Sequence, residues 1–358
     1  MLTVHIRPHW EISVKGEAPL DTADLLGLLL SIQDTGSIAQ AARSVKLSYR
    51  YAWGLLRAAE TLFGEQLLHT GRGRGTTLTP LAQKLVWADR RIAARLSPTL
   101  QSLASELEVE LGRITASRMR PLRLDASHGF AVAALMGCID RDTLPLDSRY
   151  RTSTDAVMAL ARRECDLAGF HIPIGRFEAP TASWYLRWLD PAQHCLVRVA
   201  GREQGLITAR GNPLGLRALA DLARPEVRFV NRQAGSGTRM LLEMMLAAAD
   251  IPSDAINGFN SAEFTHSAVA AYIASGMADA GVGMRAASAQ FKLDFIPLLR
   301  ETYYFAVRRD ALDEPAMCQL LELMRQPCYH RLVAALPGYD ASGTGEVVSM
   351  TEAFSLPG

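Results

Sequence analysis

Apolar residues at helical spacing run from residue 22 to about 35, where Gly36 stops the pattern and Ser37 stands ready to cap another helix. That second helix buries Ile38, Ala41, Ala42 and Val45. After a Lys46-Leu47 turn, Ser48 caps a third whose apolar positions Ala52, Leu55, Ala59 and Leu62 fall on one face. Its opposite face carries Arg50, Gly54 and Arg57, with Tyr49, Tyr51 and Trp53 beside them. Two short strand-like pieces, 67–69 and 76–78, flank Gly71-Arg72-Gly73-Arg74-Gly75, which reads as a wing. The first fifteen residues alternate and favour strands. Thr79-Pro80 opens a long helical pattern through Leu81, Leu85, Ile92, Leu96, Leu100, Leu103, Leu107 and Leu111, which Pro98 is expected to kink or divide. A polar, basic segment at 112–121 reads as a linker.

Beyond it the period switches repeatedly between two residues and three to four. Strands are expected at 122–126, 150–153, 166–170, 195–199, 227–230, 280–282, 295–298 and 303–307. Helices are expected at 130–139, 155–164, 238–249, 267–275, 315–324 and 329–336. Such alternation implies a mostly parallel sheet with helices on both faces, arranged as two lobes with a cleft between them. The fold class is therefore multidomain: an α-rich winged helix-turn-helix head (1–80), a linker and dimerisation helix (81–112), and a two-lobed α/β body (113–358).

Composition sharpens this division. A chain of 358 residues is too long for one ordinary core. The formal charge of +1 conceals a basic front end: residues 43–95 hold 10 Lys and Arg against 3 Asp and Glu, while everything after residue 96 holds 26 against 29. Five scattered cysteines show no metal-ligand spacing, so reduced thiols and no metal are expected. The start lacks the basic segment and apolar run of an export signal, and the apolar stretch at 25–32 is far shorter than a membrane span. A cytoplasmic protein without membrane contact is the expectation.

In a winged helix-turn-helix the second helix of the motif lies in the major groove, where arginine bonds guanine bidentately and aromatic rings touch methyl groups or sugars. Ser48, Tyr49, Arg50, Tyr51 and Arg57 suit that role, and Arg72 and Arg74 on the wing would reach phosphates or a minor groove. The bland alternative is a solvated basic helix followed by a flexible loop. Residues 36–53, with Ser-Tyr-Arg-Tyr-Ala-Trp at 48–53, resemble the DNA-binding head of ModE-type molybdate-responsive regulators, relatives of the LysR-type head. The resemblance covers about residues 20–112. It implies a homodimer joined through the long helix, higher association being open, and a two-fold symmetric double-stranded DNA operator. The body departs from ModE, whose small oxyanion-binding barrel domains it lacks.

Instead three pieces of the body, 232–239, 265–281 and 293–298, resemble the periplasmic-binding-protein-like domains related to molybdate- and tungstate-binding proteins. That likeness implies a type II two-lobed fold closing on a ligand by hinge motion. A small anion needs N–H and O–H donors from helix starts, with arginine where charge must be matched. Ser127, His128 and Gly129, Ser153 and Thr154, Gly235, Ser236, Gly237 and Thr238, and Thr265 with His266 stand at such starts. Arg232 and Arg239 are the candidate charge partners, and His171 follows the strand at 166–170. Each Ser or Thr is equally a plain cap, and each histidine equally a structural one. Tyr303 and Trp184 read as core or rim aromatics, and the methionines at 240, 244 and 245 as a buried helix face. Molybdate or tungstate follows from the resemblance, while three histidines and two arginines suit a small carboxylate such as formate equally well. No catalytic residue and no cofactor is expected. The alternative is a DNA-binding head fused to an enzymatic α/β domain, against which stands the lack of a nucleophile elbow, P-loop or dinucleotide fingerprint. A transport binding protein does not fit the missing export signal or the head.

Overall fold

The computed structural model describes residues 3–13, 19–71, 75–114 and 120–354. Its contacts divide the chain into two compact units, Arg7–Leu96 and a second unit made of Met1–Ile6 with Ser97–Gly358.

In the first unit β1 (Glu11–Ile12) pairs antiparallel with β2 (Leu20–Asp21), so among the described residues of the alternating start only two form a strand. The helices are α1 (Thr22–Thr35), α2 (Ile38–Ser44) and α3 (Tyr49–Phe63). Their caps are the expected ones. Gly36 takes the left-handed conformation that ends α1, Ser37 Oγ accepts from Gln40 N, and Ser48 Oγ accepts from Tyr51 N. Lys46, at φ 59°, makes the turn between α2 and α3. Leu25, Leu28, Leu29, Ile32, Ala41, Ala52, Leu56 and Ala59 meet in the core. The hairpin β3 (Leu68–Gly71) and β4 (Gly75–Leu78) follows, tied to the helix-turn-helix by Thr76 N donating to Gly36 O at 2.8 Å.

Helix α4 (Pro80–Ile114) is continuous, with Pro98 inside it, so the proline does not divide it. The junction of the two units falls between Leu96 and Ser97, within this helix. In the second unit β5 (Leu122–Ala126), α5 (Phe130–Cys138), β6 (Leu146–Tyr150), α6 (Ser153–Ala161), β7 (Leu167–Pro173) and α7 (Glu178–Tyr185) build one lobe. The long β8 (His194–Thr208) leads to β9 (Phe229–Arg232), α8 (Gly237–Ala247), β10 (Ala262–Glu263), α9 (His266–Ala274), β11 (Ala280–Met284) and α10 (Arg285–Gln290), which build the other. The equally long β12 (Asp294–Arg308) returns, followed by α11 (Pro315–Arg325), α12 (Pro327–Ala334), β13 (Tyr339–Asp340), β14 (Val347–Val348) and α13 (Met350–Ala353).

Strand order is β10-β9-β11-β8-β12-β7-β5-β6. Outer neighbours are parallel, as βαβ connections require, but β8 and β12 run antiparallel to each other and to β11 and β7 respectively. The sheet is thus mixed rather than mostly parallel. Sequence pieces expected as separate strands, 295–298 and 303–307, are two ends of β12, and 195–199 is the first part of β8. Each of these fifteen-residue strands serves both lobes, so their middles, near Arg202 and Glu301, form the only doubled strand crossing between lobes among the described residues. The edge of β6 is closed by α4, whose Ser105 Oγ accepts from Ser148 N at 2.8 Å and donates to Leu146 O at 3.3 Å. Ser102 Oγ accepts from Tyr150 N at 2.9 Å. Among the described residues no helix is long and apolar enough to cross a membrane.

Candidate functional site

Cross-strand register assembles a buried polar cluster on the two long strands. Glu301 lies opposite Arg202 on β8, and Tyr303, two residues on, lies opposite His171 on β7. Since directly paired residues share a face, all four side chains meet on one side of the sheet. Arg202 Nε donates to Glu301 Oε1 at 2.6 Å, and His171 Nδ1 stands 2.7 Å from Glu301 Oε2. The Arg202 guanidinium lies 4.8 Å over the Tyr303 ring, whose hydroxyl meets Ser127 Oγ at 3.1 Å. His171, Arg202, Glu301 and Tyr303 are all buried. Burial pushes the Glu301 carboxyl upward, but His171 and Arg202 outweigh it and hold it at about 2.

The second lobe brings Arg232, the last residue of β9, and His266, the first of α9, to the same place. Both are 4% exposed. Arg232 Nη2 donates to Phe264 O at 2.6 Å, whereas its Nε, like His266 Nδ1, has no protein hydrogen bond among the described residues. Glu263 is in backbone register with Arg232, yet the guanidinium turns to the carbonyl instead. Burial, then the Arg202 charge, lowers Arg232 to about 9. Burial and then Arg232 lower His128 to about 4 and push His266 well below the usual imidazole range. His171 is lowered too, because burial together with the two arginines exceeds the opposing pull of Glu301. Three uncharged imidazoles therefore surround two guanidiniums and one carboxylate. They are not arranged as a metal-binding group, none of which occurs among the described residues.

The start of α8 closes over this cluster. A Cβ on Gly237 would overlap the His171 imidazole, so only glycine lets the helix come this near. Gly235, at φ +79°, is left-handed, and its missing side chain leaves contact room to Thr152. Ser236 caps α8 by accepting from Arg239 N at 3.2 Å, and Thr238 is buried.

Sequence reasoning thus picked residues that the fold places together, namely Ser127, His128, His171, Arg232, Gly237 and His266, with Ser153 buried beside Tyr185. Others sit elsewhere. Arg239 pairs with Glu243 at 2.9 Å, four residues on, and lies 4.8 Å over the Phe259 ring, because position 239 faces away from the side of α8 that meets His171. Thr265 caps α9 by accepting from Ala268 N, and Thr154 receives the Trp184 indole at 3.4 Å. His171 lies within β7 rather than after it, and α6 is capped by Thr152 rather than by a residue inside it. Arg202 and Glu301 were not found from sequence, and Tyr303 is the core aromatic expected, with the Arg202 guanidinium lying over its ring.

On the head, Arg50 and Arg57 are exposed on α3, and Tyr49 and Tyr51 are about half exposed. Tyr51 is also anchored, its hydroxyl donating to Asp24 Oδ2 at 3.1 Å, and Arg57 lies 5.9 Å from the Trp53 ring centre. Gly54 leaves open space between the two arginines, in a surface depression lined by Ser48, Arg50, Tyr51, Leu55 and Ala58. Arg72 and Arg74 lie outside the described residues.

A helix-turn-helix head of this form joined to a two-lobed α/β body defines the architecture of a LysR/ModE-like regulator. The family model for the bacterial regulatory helix-turn-helix protein, lysR family, matches residues 23–83, and that for the PBP superfamily domain matches residues 139–325. The chain belongs to the PBP superfamily domain family and carries a LysR-family head. Relatives include the uncharacterized protein YvgK of Bacillus subtilis, 31% identical over 207 residues, 57% of this chain and 65% of that one. The molybdenum-pterin-binding protein MopB of Rhodobacter capsulatus is 31% identical over 36% of this chain and 48% of its own length. The transcriptional regulator ModE of Haemophilus influenzae is 44% identical over 63 residues, 16% of this chain and 25% of its own. The chain thus spans less than two thirds of each of these three relatives.

Proposed function

We propose that this chain is a one-component transcriptional regulator: a winged head (1–80) that binds double-stranded DNA, a dimerising helix (81–112) and a body (113–358) that senses a small anion rather than catalysing a reaction. The observation that carries the anion is Arg232, a buried guanidinium with an unpartnered Nε and no carboxylate within ion-pair distance among the described residues. An uncompensated buried charge is costly, and an anion at the lobe interface removes that cost. Such a ligand binds the closed body better than the open one, so effector and operator affinities are coupled by linkage. Calorimetric titration of the full chain with small oxyanions and carboxylates tests the reading, and heat-free titrations across both classes refute it. The ModE and MopB likenesses raise molybdate-like effectors but span only 25% and 48% of those chains, and the single unpaired guanidinium favours small carboxylates.

For the head, exposed Arg50 beside the dent at Gly54 supports major-groove contact. Arg50→Ala is expected to weaken operator binding by about 1–3 kcal/mol and to relax preference at one base position. Unchanged affinity and base preference in gel shifts with randomised operators would place the groove contact elsewhere. Dimerisation is supported by the exposed Leu96, Leu103, Leu107 and Leu111 on α4, apolar groups that a monomer would leave in water. Light scattering should give twice the chain mass, and a concentration-independent single-chain mass rejects the dimer helix.

A further inference from the structure

We propose that the effector taken by this cleft is a singly charged anion, a monocarboxylate or monovalent oxyanion, and that a doubly charged one enters only together with a proton. The inference rests on the anion-sensor reading and deepens it through the site's fixed charges. Arg202 is committed to Glu301, which it meets at 2.6 Å, and the other Glu301 oxygen faces His171 at 2.7 Å. That buried pair is neutral as a unit. Arg232 remains as the one fixed cation without a carboxylate in contact, and Glu301 is the one carboxylate whose charge reaches it among the described residues.

The imidazoles add no fixed charge. His128, His171 and His266 are kept neutral by burial and by the neighbouring guanidiniums. The titratable and charged groups facing them are Arg202 on β8, Glu301 and Tyr303 on β12, Arg232 on β9 and Tyr150 on β6. A monoanion against Arg232 therefore leaves the cleft neutral, and His128 and His266, each neutral, have one ring N–H apiece to donate to it. A second negative charge has no fixed partner and stands near Glu301 in a poorly screened interior. It is held only if an imidazole takes up a proton from solvent, which ties dianion affinity to pH. His171 is suited to this, since its Nδ1 already faces a carboxylate that stabilises the imidazolium.

Calorimetry of the full-length protein with formate and nitrate against molybdate and sulfate, between pH 6.5 and 8.5, tests the proposal. Each titration is repeated in two buffers of different protonation enthalpy, which counts the protons taken up. A monoanion should bind with nearly constant affinity and little proton exchange, and either dianion should lose about tenfold per pH unit while taking up about one proton. A dianion that binds more tightly than both monoanions at pH 8 without proton uptake overturns the proposal. Binding by none of the four rejects the anion reading itself, a different pattern. Glu301→Gln, close in shape but one negative charge fewer, should shift preference at pH 8 at least tenfold toward the dianion. An unshifted preference in a folded Glu301→Gln protein also overturns it, and if that variant does not fold, the wild-type proton count decides alone.

Discussion

Glu301→Ala is expected to destabilise the body by about 3–5 kcal/mol, the cost of leaving a buried ionic partner uncompensated. Removing the carboxylate strands Arg202, which is 3% exposed, and takes from His171 the carboxylate its Nδ1 faces at 2.7 Å. Because the pair joins β8 and β12 where both pass between the lobes, the loss falls on the strands that the two lobes share. Denaturant unfolding followed by fluorescence of Trp184 and Trp188, both in the first lobe, measures it. A change under about 1 kcal/mol would mean that water reaches the pair and that the triad is not a dry element of the fold.

The same groups fix the acid response. Glu301 titrates at about 2 in the fold and near 4.5 unfolded, so its contribution is present above pH 4.5 and lost as pH falls toward 2. The histidines act in the same direction from a higher pH. His128 (about 4), His171 and His266 stay neutral in the fold while the unfolded chain protonates its imidazoles below about 6.5, so the unfolded state binds more protons and is favoured by acid. Thermal midpoints of the ligand-free body should be flat from pH 7 to 8 and fall continuously below about 6.5. Asp125, which burial raises to about 6, opposes this fall, so a midpoint that rises between pH 6.5 and 5 in an Asp125→Asn protein contradicts the neutral assignment.

The head was legible because its signals are local. Gly36, Ser37 and Ser48 act on backbone groups within three or four residues, so the caps in the sequence are the caps in the fold. The body was legible as alternating strands and helices but not at its centre. The run Gly201-Arg202-Glu203-Gln204-Gly205 falls outside every expected strand, since nothing nearby in the chain satisfies its charge. Its partner is Glu301, 99 residues away, and that pairing places the run in the middle of a largely buried strand. Charged residues in both halves of a prospective strand pair, Arg202-Glu203 and Arg300-Glu301, were the available signal, but it depends on a register that one sequence does not display. Arg239 shows the opposite limit. Proximity to a glycine-rich helix start says nothing about azimuth, and the Arg239 side chain lies over Phe259 and pairs with Glu243.

Gly237→Val should abolish effector-induced thermal stabilisation while leaving effector-free DNA affinity within about twofold of wild type, given that the head forms a compact unit separate from the substituted site. The cause is space, not backbone conformation, because Gly237 is an ordinary helical residue whose missing Cβ is replaced by the His171 ring. Any side chain there pushes α8 from β7 or turns the imidazole from Glu301, and either shift disturbs the donors gathered around Arg232. Overpacking of this kind costs about 1–3 kcal/mol, enough to lower the body's melting temperature by several degrees without unfolding it. Gly237→Ala should give a weaker version of both effects, since it adds the same offending Cβ without branches. The comparison variant is Gly235→Ala, which meets only Thr152 at ordinary to tight contact distance and is strained mainly by φ +79°. It should lower stability with a smaller loss of effector response. Were Gly237→Val to keep the full ligand-induced shift while Gly235→Ala lost it, the wall of the site would be the left-handed turn and not the helix that follows.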